Sequence, residues 1–286
     1  ASATPTDKPK REPWMLVVMA STVGFLATVM VNFAVTISMA IHGVGPAVPF
    51  LLDQRTLILP TWGFLVPTVW GFNARWLPIF LGLRPLRAMW LYGGLLAAWV
   101  VVGAMLSGFS MLAMLLLPVA AIASIMALGV FKRAVQPAKL NGVHRSFPYF
   151  VRGAYVWLLV ASCLSIFAAV ADRQGGIWGA SRHALTVGFL ATMVFSIGPK
   201  ILPVFCGARA LFSPRLMFAA LLLLNVGCTL RVASEILAYE RSAPWAWSVL
   251  PVSAIVELVA VTCFAANMSL TLMRLPAHLV GQRAAG

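Results

Sequence analysis

Charged residues are missing from long stretches of this chain. No Asp, Glu, Lys or Arg occurs within 13–52, 56–74, 88–131, 153–171 or 183–199. A helix needs about 20 consecutive, mostly apolar residues to cross the hydrocarbon core of a bilayer. The runs predict eight membrane-spanning helices, at 15–40, 56–73, 88–106, 110–131, 147–171, 182–206, 215–239 and 246–273. The expected fold is all-α, a polytopic transmembrane helical bundle. Residues 1–13 are expected to form a mobile basic tail, 14–274 the helical domain and 275–286 a short C-terminal tail.

Glycine and proline add local detail. The break at Ser107-Gly108-Phe109 is so short that the third and fourth spans form an antiparallel hairpin. The second span holds Pro60-Thr61-Trp62-Gly63-Phe64 and, two residues on, Pro67-Thr68-Val69-Trp70-Gly71-Phe72. Proline removes a helical hydrogen bond, and backbone groups freed in lipid need another protein group or water. A distorted helix is expected here, either packed against its neighbours or lining a cavity. In the sixth span Ala180, Ala184, Gly188, Thr192 and Ser196 recur every fourth residue, a small-residue face suited to close helix contact. His183 lies about 100° from Ala184 around that helix. Gly198, Pro199 and Pro203 bend its far end.

Composition agrees with the pattern. The chain is 61% hydrophobic and 10% charged, whereas a soluble domain carries about 25% charged residues. On a soluble chain the net charge of +14 would suggest nucleic acid. Here the basic residues fall between the apolar runs and report orientation instead. With the N-terminus in the cytoplasm, sixteen Lys and Arg lie on the inner side. Arg55, Arg173, Arg182 and Arg241 lie outside, and Arg231 falls within a span. The positive-inside rule then places both termini in the cytoplasm. The bilayer is the expected partner and nucleic acid is excluded. Trp76 and Trp90 inside, with Trp178, Trp245 and Trp247 outside, fit two aromatic belts. The apolar run after Lys8-Pro9-Lys10-Arg11 is too long for the core of a signal peptide and is expected to be a retained span. Lys200, near the inner end of the sixth span, is expected to snorkel to the headgroups. Cys163, Cys206, Cys228 and Cys263 share no finger or redox spacing, so neither a disulfide framework nor a zinc site is implied.

Candidate chemistry concentrates in few residues. His42 ends the first span and His183 opens the sixth, both on the outer side, while His144 and His278 fall in cytoplasmic segments and read as solvated. Two imidazoles at one depth are either a ligand pair for haem iron or another metal, or two unrelated interfacial side chains. Most of the thirteen methionines are packing, although Met39 stands near His42. Of seven acidic residues, Glu235 and Glu257 fall inside spans. A carboxylate there is costly and faces a protein interior, paired or protonated. Arg231 precedes Glu235 by one helical turn, so the two can pair on one face. That pair is either a structural salt bridge or part of a cofactor site, and Glu257 has no partner nearby in sequence.

The block Arg182-His183-Ala184-Leu185-Thr186-Val187-Gly188, with Gly198, Pro199, Cys206 and Gly207 downstream, resembles the NnrS family of bacterial membrane proteins. The likeness is specific over about residues 180–210 and general elsewhere. That family is associated with haem, with copper and with nitric-oxide metabolism. The resemblance implies a protein of the bacterial inner membrane that handles nitric oxide or a related small diatomic or redox ligand, supplied by an electron-donor protein. It makes His183 the first axial ligand of haem, and His42 the second ligand or the ligand of a neighbouring copper. Arg231 would neutralise a haem propionate, with Glu235 and Glu257 in support, at a site toward the periplasmic side. No Cys-x-x-Cys-His attachment is present, so the haem implied is haem b. Members of that family are commonly longer, with more spans, which weighs against copper.

Two other functions fit the same spans. A cofactor-free transporter or permease would use the broken second span and the intramembrane charges as a substrate path. A membrane anchor subunit of a respiratory complex would use the charges for contacts. The chain has no phosphate-binding Gly-rich loop, no His-Glu-x-x-His and no Gly-x-Ser-x-Gly.

Overall fold

A computed structural model describes residues 12–43, 47–206 and 211–273. Most of the N-terminal tail, the C-terminal tail with His278, and Gly207 of the motif block lie outside the described residues. The described chain is helical, without strands. In order it runs α1 (Pro13–Ile41), α2 (Phe50–Thr56), a π-helical segment π1 (Leu59–Leu65), α3 (Val66–Leu81), α4 (Ala88–Leu106), α5 (Ser110–Leu128), α6 (Phe147–Ala171), α7 (Gly176–His183), a second π-helical segment π2 (Ala184–Ala191), α8 (Thr192–Phe205), α9 (Pro214–Tyr239) and α10 (Ala246–Leu272).

Seven helices are long and apolar enough to cross a membrane: α1, α4, α5, α6, the continuous Gly176–Phe205, α9 and α10. The eighth expected span is the helix formed by π1 and α3. It falls short of the same apolar standard because Asn73 and Arg75 lie within it. Hydropathy also ended this span early. The charge-free run stops at Arg75, yet the helix continues to Gly82, whose positive φ of 62° closes it. The Arg75 guanidinium is accommodated by Glu12 at 2.5 Å and by the faces of Trp14 and Trp76. The short helix α2 lay within no predicted element.

Neighbours in sequence are mostly neighbours in space. α1 packs on π1 and α3, α4 on α5, α5 on α6, α6 on α7 and π2, and α9 on α7 and α10. The α4–α5 hairpin turns at Ser107-Gly108-Phe109, with Gly108 at φ 88° and Phe109 N donating to Ala104 O at 2.8 Å. Close approach depends on missing side chains. A Cβ at Gly24 of α1 would collide with the Gly63 carbonyl of π1, and one at Gly188 would lie 2.5 Å from Trp157 Cγ of α6. The small-residue face of the sixth span is wholly inside: Ala180, Ala184, Thr192 and Ser196 are 0% exposed, and Gly188 is buried with them.

Polar contacts between helices are few and paired. Asn73 Nδ2 donates to Tyr155 Oη at 2.9 Å, joining α3 to α6, and Thr68 Oγ1 donates to Ser21 Oγ at 2.9 Å, joining α3 to α1. Trp157 Nε1 donates to Asn225 Oδ1 at 3.0 Å, and Asn225 Nδ2 reaches Thr192 Oγ1 at 3.3 Å, tying α6, α9 and α8 together. Lys200 Nζ donates to the Lys139 carbonyl and lies over the Phe80 and Phe147 rings. It therefore fixes the basic loop between α5 and α6, a specific contact where sequence suggested only headgroup contact. The same loop is held by Val135 N and Lys139 N donating to the carbonyls of Gly82 and Phe80.

Gly24→Ala is expected to cost about 1–3 kcal/mol through overpacking and to lower the thermal midpoint in detergent. Gly93→Ala is the control, because its new Cβ meets nothing within 4 Å. It should stabilise slightly, as alanine is preferred over glycine in a helix by about 1 kcal/mol.

Candidate functional site

His183 is the last residue of α7 and the first turn of π2 begins at the next residue. Its imidazole Nδ1 faces Glu235 Oε2 of α9 at 3.8 Å, and Arg231 Nε faces the same oxygen at 3.5 Å. Both separations exceed a normal hydrogen bond. Arg231 Nε and Glu235 Oε2 accordingly have no hydrogen-bond partner although both are buried. The Glu235 side chain is 10% exposed, while His183 and Arg231 are about one-third exposed at 30% and 29%. One carboxylate oxygen thus serves an imidazole and a guanidinium at once.

Glycines on α7 permit this approach. A Cβ at Gly179 would strike the Glu235 carboxylate, and one at Gly176 would strike the Tyr239 side chain and lie 3.1 Å from Glu235 O. Gly176 and Gly179 thus form part of the site, although sequence reasoning centred on the histidine block passed over them. Their three-residue spacing just ahead of His183 was the available signal, since residues three apart share a helix face.

The cluster extends along α9 to α10. Cys228 is buried, with Sγ 3.8 Å from the His183 carbonyl oxygen. Glu257 of α10 packs over Gly227, where a Cβ would lie 2.6 Å from Glu257 Cγ. Its Oε1 is buried without a hydrogen-bond partner, and Arg231 is close enough to act on it electrostatically. Arg231 is therefore a cation that pairs with Glu235 on its own helix and acts at longer range on Glu257 of the next. Arg182, one residue before His183, pairs with Asp53 of α2 at 3.4 Å.

His42 stands apart. It caps α1, is exposed, and its Nδ1 lies 2.6 Å from Ser38 O of its own helix. No hydrogen bond or ion pair joins it to His183 among the described residues. His144 is half-buried against Phe218, with Nδ1 2.7 Å from Ser146 Oγ, so it is less solvated than sequence suggested. No group of three or more His, Cys, Asp and Glu is arranged to hold a metal ion among the described residues. Chemically, the cluster offers one imidazole 3.8 Å from a carboxylate oxygen, plus one cation. An open groove of about 460 Å³ lies among α1, α3 and α8, with lining residues that include Trp14, Phe72 and Ile197 but no histidine.

Removing the shared anion leaves the partly buried Arg231 guanidinium without its partner on the same helix. Glu235→Leu is expected to destabilise the protein by about 1–3 kcal/mol, read from denaturant unfolding in mixed micelles. Adding Arg231→Met to that variant should recover part of the loss, because the uncompensated charge goes with it.

Comparisons with curated proteins and with solved structures return no match. The family described as a domain of unknown function, DUF8744, matches residues 15–268, from the start of α1 almost to the end of α10. That span includes every member of the His183 cluster, and the chain belongs to the DUF8744 family.

Proposed function

We propose that this protein is a multi-pass protein of the bacterial inner membrane that binds haem b through His183 and serves nitric-oxide or related redox metabolism. The observation that carries the reading is the orientation of the His183 imidazole. With Nδ1 turned to Glu235, the ring keeps Nε2 for another partner. An imidazole that ligates a metal nearly always has its other nitrogen fixed by a carboxylate, carbonyl or water. The resemblance of Arg182–Gly188 to the NnrS family points to the same residue. Arg231 supplies a cation beside the imidazole, suited to a haem propionate.

In this reading each residue has a limited task. Glu235 holds the imidazole ring orientation and balances Arg231. Glu257, on α10, sets the charge on the other side of Arg231. Haem iron, when bound, would supply a coordination position for a small diatomic ligand and one-electron chemistry. His42 makes its hydrogen-bond contact within its own helix, so the proposal rests on His183 as the residue that would hold the iron. A copper site has no further support.

The proposed topology has eight crossings, the π1–α3 helix included, with both termini in the cytoplasm and His183 toward the periplasm. Reporter fusions after residue 286 and within 132–146 should both read cytoplasmic. A fusion within 172–175 should read periplasmic, and a reversed pattern would invert the site.

A second reading is favoured by one observation. The Glu257 Oε1 is buried without a hydrogen-bond partner, as expected of a carboxyl in a proton or ion path through a transporter. The two readings separate on colour. Protein purified in detergent after expression with ample haem should show a Soret band and a pyridine haemochrome of haem b near one equivalent. His183→Ala should abolish both, while Glu235→Gln should keep haem but weaken its retention by about 10–100-fold. Colourless wild-type protein would sink the haem reading and favour the Glu257 path.

A further inference from the structure

A cleft of about 130 Å³ lies between the two π-helical segments. π1 contributes Thr61 and Trp62, and π2 contributes Leu185 and Thr186, with Met105, Met114 and Trp178 among the other walls. π-helical turns are rare and recur at functional sites. Here both of them border the same space.

The walls are largely apolar and the free polar groups are few. The hydroxyls are already committed as donors within their own helices. Thr61 Oγ1 donates to Leu57 O at 2.7 Å, Ser165 Oγ to Ala161 O at 2.9 Å, Ser181 Oγ to Trp178 O at 2.9 Å and Thr186 Oγ1 to Arg182 O at 2.8 Å. Gln54 of α2 is different. It lines the cleft, is 9% exposed, and its amide makes no hydrogen bond, with Nε2 buried and unpartnered. An unpaired buried amide is costly enough that native folds rarely leave one without a use. Beside it Arg182 lines the cleft while holding Asp53 at 3.4 Å.

Size and charge select the ligand class. A cavity of about 150 Å³ lined by apolar side chains takes up benzene, so this cleft has the room of a single six-membered ring. A small anion would rely on Arg182 alone, whose charge is already shared with Asp53. A neutral ring with a carbonyl oxygen can accept from the Gln54 amide or the Arg182 guanidinium while its body meets Trp62, Trp178 and the methionines. We propose that this cleft binds the ring of a lipid-soluble quinone, with a ring carbonyl held by Gln54 and Arg182. The inference does not depend on haem at His183, because neither His183, Arg231 nor Glu235 lines the cleft.

The test is the thermal midpoint of the full chain in detergent, with 2-decyl-1,4-benzoquinone, decylbenzene or sodium acetate as probes. The decylbenzoquinone, whose ring carries no other substituent, at about a hundredfold excess over its dissociation constant should raise the midpoint by about 5 °C. Decylbenzene, which has the tail but no carbonyl, and acetate should not. Gln54→Leu removes the amide and Ala161→Phe fills the cleft, so both should abolish the quinone shift. Equal shifts with decylbenzene, or a quinone shift retained in both variants, overturn the proposal. A shift with acetate alone makes the cleft a small-anion site and overturns it too. If either variant fails to purify as a monodisperse peak, wild-type protein is photolabelled with an azidoquinone. Adducts on 54–62 or 178–186 support the site, and adducts elsewhere overturn it. The Soret band, recorded in parallel, should be unchanged in Gln54→Leu, so loss of quinone binding and loss of haem are read separately.

Discussion

Helices that share an apolar solvent gain little from hiding apolar side chains from one another, so their association rests on close packing and on the few polar contacts between them. This bundle meets that constraint with missing Cβ atoms. Gly24 lies against Gly63, Gly188 under Trp157, Gly179 under the Glu235 carboxylate and Gly227 under Glu257. One of these four contacts brings a carboxylate against a backbone, and another brings the Cγ of Glu257 there. The packing rule that assembles the helices is therefore also what places the ionisable groups. An alanine would suffice as a small residue in many such interfaces, but at Gly179 the space is already filled by the acid.

The electrostatic arrangement follows from that geometry. Arg231 sits on the same helix as Glu235 and lies near enough to Glu257 of the next one to act on it, so a single partly buried cation serves two acids. Buried charges persist only when compensated, which is why Arg231, Glu235 and Glu257 are best regarded as one unit. His183 joins the unit from a third helix. It brings a nitrogen 3.8 Å from an oxygen that Arg231 also approaches, so a change at any one of these residues alters the surroundings of the other three.

Much of the architecture was legible in charge-free runs. Those runs marked α1, α4, α5, α6 and the core of Gly176–Phe205, because an Asp, Lys or Arg is expensive in the segment that the helix must bury. The helices α9 and α10 stood out by their apolar residues, although they carry Arg231, Glu235 and Glu257. The same reasoning misjudged α3, since Arg75 can stay on a helix when Glu12 and two tryptophans receive it. The Arg231–Glu235 pair was legible from four-residue spacing, and His183 from its block. The approach of Glu235 to His183 was not, because it depends on which faces of α7 and α9 meet. The duplicated Pro-Thr motif announced a distorted helix, and Pro60 and Pro67 bracket π1 in the event. Nothing comparable marks π2, which contains no proline and whose register follows from packing around Gly188. The carbonyl partner of Lys200 was not legible for a similar reason: it lies 61 residues away in sequence.

A π-helical turn holds more residues than an α-helical one, because its bonds run to the fifth residue instead of the fourth. The helix from Gly176 to Phe205 therefore carries surplus chain in its middle, between the end that bears His183 and the end that bears Lys200. Each residue of an α-helix turns it by about 100°. Deleting one residue from π2 would leave the two ends nearly in phase, but winding π2 as an ordinary α-helix with every residue kept would swing one end against the other by about that angle. Lys200 could then keep its loop, or His183 its carboxylate, but not both. The irregular turn is the setting that lets two ends of one rod, anchored to different neighbours, face their separate partners at the same time.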